Sequence, residues 1–121
     1  FRTDYSYSTY LLSHWVREKN IMSLEDAIRK LTFIPASLFG LYDRGLVRQG
    51  MAADLMVFDP ASIAPLEPGE AYDLPGGSRR RKQLAKGIEM TVVNGEVLIE
   101  KGEHTGAYPG KVARNWSPPR Q

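Results

Sequence analysis

The stretch Ile88-Glu-Met-Thr-Val-Val-Asn-Gly-Glu-Val-Leu-Ile99 decides the fold class. Apolar and β-branched residues fill both arms, and Asn94-Gly95 stands between them. A two-residue hairpin turn needs positive φ at both central positions, which Asn followed by Gly adopts at low steric cost. The stretch therefore predicts strands over Ile88–Val93 and Glu96–Ile99 joined by a tight turn, with Lys101-Gly102 ending the second. Upstream, Asp54-Leu-Met-Val-Phe-Asp59 reads as another strand, closed by Pro60. Leu46-Val47, between Asp43-Arg-Gly45 and Gln49-Gly50, reads as a short one. Residues 60–77 hold Pro60, Pro65, Pro68 and Pro75 and read as an irregular excursion. Thr105-Gly106 and Pro109-Gly110 mark further turns, and residues 115–121 read as a tail.

Towards the N-terminus the apolar period changes from two to that of a helix. Ser23-Leu-Glu-Asp26 opens one, with Ser23 as a cap and two acids at the positive end of the dipole. Leu24, Ala27, Ile28 and Leu31 fall at i, i+3, i+4 and i+7, on one face. Glu25–Arg29 and Asp26–Lys30 are spaced as i,i+4 pairs. Pro35 through Phe39 predicts a short helix with Pro at its first position and Gly40 past its end. An earlier helix runs from a cap at Ser8 or Thr9 to about Lys19, with Leu11, Leu12, Trp15 and Val16 as its apolar stripe. Phe1-Arg-Thr-Asp-Tyr-Ser-Tyr7 reads as a loop. Helices precede strands and do not alternate with them, so the fold class is α+β.

With 121 residues the chain fits one domain. Two amphipathic helices and four short strands leave faces without partners, so the pattern reads as part of a larger body. A net charge of +2, evenly spread, does not call for a nucleic-acid partner. The chain has no cysteine, which excludes disulfides, thiol nucleophiles and Cys-based metal sites and fits a reducing, cytoplasmic setting. No apolar run reaches membrane-spanning length, so no membrane partner is expected. Because the chain opens at Phe1 and not at a methionine, a missing N-terminus is expected, and targeting is not judged from it.

No catalytic constellation stands out. The two histidines, His14 and His104, are far apart and lie in different kinds of element, without a metal-ligand pairing. Ser, His and Asp all occur, but no activated-serine turn supports a triad. Asp43, Asp54 and Asp59 could do acid–base work as paired carboxylates, yet turns and strand ends use aspartate for local hydrogen bonds. The run Arg79-Arg-Arg-Lys82 could meet phosphate, or could pair with Glu67, Glu70 and Asp73 just upstream. Tyr5, Tyr7 and Tyr10 could line a pocket or simply pack.

Several segments together resemble the C-terminal end of the amidohydrolase superfamily. They are Ser23-Leu-Glu-Asp-Ala-Ile-Arg-Lys-Leu-Thr32 with Pro35-Ala36 and Phe39-Gly40-Leu41; Asp43-Arg-Gly45 with Gly50-Met-Ala-Ala-Asp54 and Val57-Phe-Asp-Pro60; and Val92-Val-Asn-Gly95 with Gly102-Glu-His-Thr-Gly106 and Pro109-Gly-Lys111. Tyr7-Ser-Thr-Tyr-Leu-Leu12, Trp15-Val-Arg-Glu-Lys19 and Asp73-Leu-Pro-Gly-Gly77 are similar to the N-acyl-D-amino-acid deacylases (D-aminoacylases) within it.

The resemblance implies a (β/α)8 barrel holding zinc and a small β-sandwich built from both chain ends. Residues 1–40 would carry the last barrel helices. Residues 41–114 would carry C-terminal sandwich strands, with an insertion at 60–87. The implied activity is hydrolysis of amide bonds other than peptide bonds, such as those of N-acyl-D-amino acids. The family's metal ligands, an H-x-H pair, two later histidines, a bridging residue and an aspartate on the last barrel strand, have no matching positions here. Asp4 is not that aspartate, because no barrel strand precedes it. The expectation is a fragment with no catalytic residue and no metal ligand of its own, in which Tyr5 and Tyr7 edge the substrate pocket. Its partners would be the rest of the same polypeptide and a small amide substrate. The alternative is a non-catalytic module that associates through its apolar faces, for instance as a homodimer.

Overall fold

A computed structural model describes residues 4–113. A 3₁₀ turn (Asp4–Ser6) leads into α1 (Tyr7–Tyr10), which continues as a π-helical segment (Leu11–Glu18). The Lys19 N–H donates to the His14 carbonyl, five residues back, at 2.9 Å. The wider turn moves the buried face. Thr9, Leu12 and Ser13 are buried, while Trp15, expected in the stripe, is 39% exposed. The two buried hydroxyls bond within the helix, Thr9 Oγ1 to the Ser6 carbonyl and Ser13 Oγ to that of Tyr10. They leave a shallow surface on which a neighbouring strand can lie close.

Helix α2 (Leu24–Leu31) begins as the sequence predicts, with the Asp26 N–H donating to Ser23 Oγ at 3.1 Å. Among the ion pairs of the described residues, neither Glu25–Arg29 nor Asp26–Lys30 is formed. The Arg29 guanidinium instead sits over the Phe33 ring, 6.0 Å from its centroid. Helix α3 (Phe33–Leu38) starts two residues earlier than expected and holds Pro35 inside its first turn, where a missing N–H costs nothing. Gly40, at φ 60°, closes it: its N–H meets the Ser37 carbonyl, and that of Leu41 meets Ala36.

Strand β1 (Leu55–Phe58) comes next. The excursion expected to be irregular is a two-stranded arm. Its rungs are β2 (Ala64–Pro65) with β5 (Ala85–Lys86), and β3 (Gly69–Ala71) with β4 (Arg80–Lys82). Pro65 fits because the ladder is only two residues long there. The predicted hairpin follows as β6 (Ile88–Val93) and β7 (Glu96–Glu100), then β8 (Glu103–His104). The main sheet has the order β1-β6-β7-β8, all antiparallel. Asn94 and Gly95 take φ of 48° and 83°, as the turn requires. Leu46-Val47 is not a strand. It finds no ladder partner among the described residues, and Val47 is 89% exposed.

The core is small. Leu12, Ala27 and Ile63 are its buried centre, with Val16, Met22, Ile28, Phe58 and Ile88 packed around it. Among the described residues no helix is long and apolar enough to cross a membrane.

Candidate functional site

The carboxylates suggested by the sequence are occupied in local structure. Arg44 reaches Asp43 through Nε and Nη2 at 3.0 and 3.1 Å and Asp54 through Nη1 at 2.9 Å. The other Asp54 oxygen accepts the Asn94 N–H at 2.8 Å, and the Ala53 carbonyl accepts that of Gly95. This set docks the β6–β7 turn against the entry to β1. The Arg44 guanidinium holds the Asp43 carboxyl below its ordinary 3.8. Asp59 accepts from the Ser62 hydroxyl and the Ala61 N–H at the foot of the arm, which lowers its carboxyl in the same direction. Asp54 shares a groove with Glu25, but its two oxygens are already taken by Arg44 and the Asn94 N–H.

The histidines stay apart. His14 stacks on Tyr10 at 4.9 Å between ring centroids, meets Trp15 edge-on at 4.7 Å and bonds Glu18 through Nδ1 at 2.9 Å. His104 accepts the Gly106 N–H at Nδ1 and tilts over Tyr108. Among the described residues no three of His, Cys, Asp and Glu come together in a group that could hold a metal ion. In the basic run, Arg79 pairs with Glu70 at 2.9 Å, and Arg80 forks onto Asp73, whose carboxyl it lowers.

Tyr5 and Tyr7 stand at the start of α1 and are 67% and 66% exposed. Ser6 between them is tied to the arm, its Oγ donating to Gln83 Oε1 at 3.0 Å. Arg17, from the same helix, donates to the carbonyls of Pro60 and Ile63 at 3.1 and 2.7 Å. Neither tie was legible in the sequence. Partners 77 and 46 residues apart leave no local pattern.

A groove of about 700 Å³ lies between α2 and β1. Leu24, Ile28, Phe33, Leu46, Leu55 and Met56 line it, so it is overwhelmingly apolar. Strand β1 borders it with Leu55, Met56 and Phe58, and its consecutive residues Leu55, Met56 and Val57 are 38–50% exposed. Such a run on consecutive positions fits a strand covered on both faces. Among the described residues β1 also pairs on one side only, with β6.

Residues 2–99 match the model of the amidohydrolase family. The chain therefore belongs to that family. It is 41% identical to the N-acyl-D-aspartate deacylase of Alcaligenes xylosoxydans xylosoxydans over 86% of its own length and 19% of that enzyme's. With the D-aminoacylase of the same organism it shares 34% identity over 84% of its length and, again, 19% of the relative's. The chain thus spans about a fifth of the length of these relatives. Among solved structures, a D-aminoacylase variant in complex with copper chloride superposes with a TM-score of 0.71 at 34% identity, covering 89% of this chain and 21% of that one. Another, described for the role of its binuclear metal centre, gives 0.65 at 35% identity, covering 83% and 19%.

Proposed function

We propose that this chain works as the C-terminal part of a metal-dependent deacylase that hydrolyses the amide bond of N-acyl-D-amino acids. The 41% identity with a deacylase, met over nearly the whole chain but a fifth of that enzyme, carries the reading. In it, residues 1–40 are the last barrel helices. Residues 41–114 are sandwich strands, interrupted by the arm within 60–87. Tyr5 and Tyr7 edge the substrate pocket. The zinc and the catalytic residues belong to the rest of the polypeptide, since the side chains described here do not make a metal site. That remainder covers the α2–β1 groove and the free edge of β1. The pairing of Arg79 and Arg80 with Glu70 and Asp73 supports a structural role for the basic run, with no nucleic-acid partner.

Deacylation tests this reading. The longer polypeptide carrying this segment is expected to release D-aspartate from N-acetyl-D-aspartate, or the corresponding amino acid from another N-acyl-D-amino acid, and to contain metal. The 121-residue chain alone is expected to do neither. Turnover by the purified 121-residue chain with zinc bound would overturn it. The exposed Val47, Leu55 and Met56 favour a second reading, a module that dimerises through the groove. A concentration-dependent dimer in light scattering, abolished by Met56→Asp, would select it.

A further inference from the structure

We propose that Gln83 is a positioning residue that fixes the Tyr5–Tyr7 segment from the arm; its role towards substrate rests on the reading of those tyrosines given above. Gln83 lies between β4 and β5, at the gap between the two rungs of the arm. Its Nε2 donates to the Leu66 carbonyl at 2.8 Å, and its Oε1 accepts from Ser6 Oγ at 3.0 Å. The Leu66 N–H meanwhile donates to the Leu84 carbonyl, so the Gln83 amide is anchored across the arm before it reaches out. The orientation of that amide is forced. A carbonyl only accepts, so the NH₂ must face Leu66 and the oxygen must face Ser6.

Ser6 carries the second half of the argument. It occupies the position before α1 where a serine ordinarily caps the helix, and its side chain makes no capping bond. The hydroxyl turns to the arm instead, while the Ser6 carbonyl accepts from Thr9 Oγ1 at 3.1 Å. The residue between the two tyrosines is therefore held at both its side chain and its backbone. A carboxamide supplies donor and acceptor together from a single rigid plane. Leucine would lose both bonds.

The experiment uses the longer polypeptide that carries this segment, with N-acetyl-D-aspartate as the probe substrate. Gln83→Leu and Ser6→Ala should each raise KM about fivefold, the worth of one ordinary hydrogen bond, with kcat within about twofold. Ser6→Thr keeps the hydroxyl and should keep KM. Hydrogen exchange of amides 5–10 should quicken in both loss variants and not in Ser6→Thr, a readout that does not need turnover. Tyr5→Ala and Tyr7→Ala test the pocket reading separately. If they raise KM while Gln83→Leu and Ser6→Ala leave it unchanged, the positioning role is overturned. Tyrosine variants without effect on KM would overturn the pocket reading, and the substrate role with it. Unchanged exchange in both loss variants would overturn the clamp itself.

Discussion

The foot of the arm and the α2–β1 groove are built from the same apolar stock, yet one is closed and the other open. At the foot, Ile63 is fully buried, and a Cβ on Gly87 would lie 2.5 Å from the Ile63 nitrogen. Arg17 seals the spot from outside by taking the carbonyls of Pro60 and Ile63. In the groove, Leu55 and Met56 border a cleft of about 700 Å³ with no side chain to fill it. Packing density is high wherever segments of this chain meet one another. It falls where a segment presents a face that nothing in the described residues covers. The difference marks which surfaces these residues complete by themselves and which they offer to something else.

Gly87→Ala should strike the closed side hardest. It combines a φ of 78° with backbone contact, and should cost at least ~3 kcal/mol in urea unfolding. Gly50→Ala shares the positive φ, at 88°, but meets open space, so it should cost only about 1 kcal/mol. Equal losses would break the claim that contact at Ile63 is what closes the foot. Arg17→Met keeps the aliphatic stem and removes both carbonyl bonds, for a loss of about 2 kcal/mol by the same measurement. Asp54→Ala frees Arg44 and the Asn94 N–H, both near the surface, and should cost about 1 kcal/mol.

A smaller effect follows from acid. Asp43, Asp59 and Asp73 all titrate below their ordinary 3.8 in the folded chain. Their stabilisation is therefore present above that pH and is lost as pH falls through the lowered values. The melting temperature should drop modestly between pH 5 and pH 3, with the drop reduced in Asp73→Asn. All three groups are exposed and screened, so a steep collapse would point to a group elsewhere. Smallest of all, Val47→Ser on the open side should change the stability of the chain alone by no more than about 0.5 kcal/mol. A larger loss would mean that the groove has an internal partner after all.

What the sequence made legible follows the reach of each interaction. Asn94-Gly95, the Ser23 cap and the Gly40 terminator act over two to five residues, and all three stand where the local pattern put them. Asp59 and His104 bond within two or three residues of themselves, to Ala61, Ser62 and Gly106, a range over which turn residues can be read. Trp15 was misplaced because a π-helical turn shifts the buried face, and no spacing rule for an α-helix anticipates that. Leu46-Val47 has strand composition but no partner to pair with, and composition cannot supply one. The arm was hidden by its prolines, which suggest irregularity while tolerating rungs of two and three residues. The Ser6–Gln83 bond joins the first turn to the arm, 77 residues away, and has no signature at either.

The two ends of the arm meet at a single bond, the Asp59 N–H donating to the Gly87 carbonyl at 2.9 Å, immediately beside the Phe58–Ile88 pair of the main sheet. The excursion leaves and re-enters the main sheet at this one point, so the sheet does not register its length, while Ile63 and Gln83 tie its base to the first helix. Closing a longer loop adds only about 0.6 kcal/mol per doubling of its length. Insertions and exchanges at its tip, between β3 and β4, should be inherited easily, which makes that turn a place where related chains can diverge, and where an engineer can graft, while the strands on either side stay as they are.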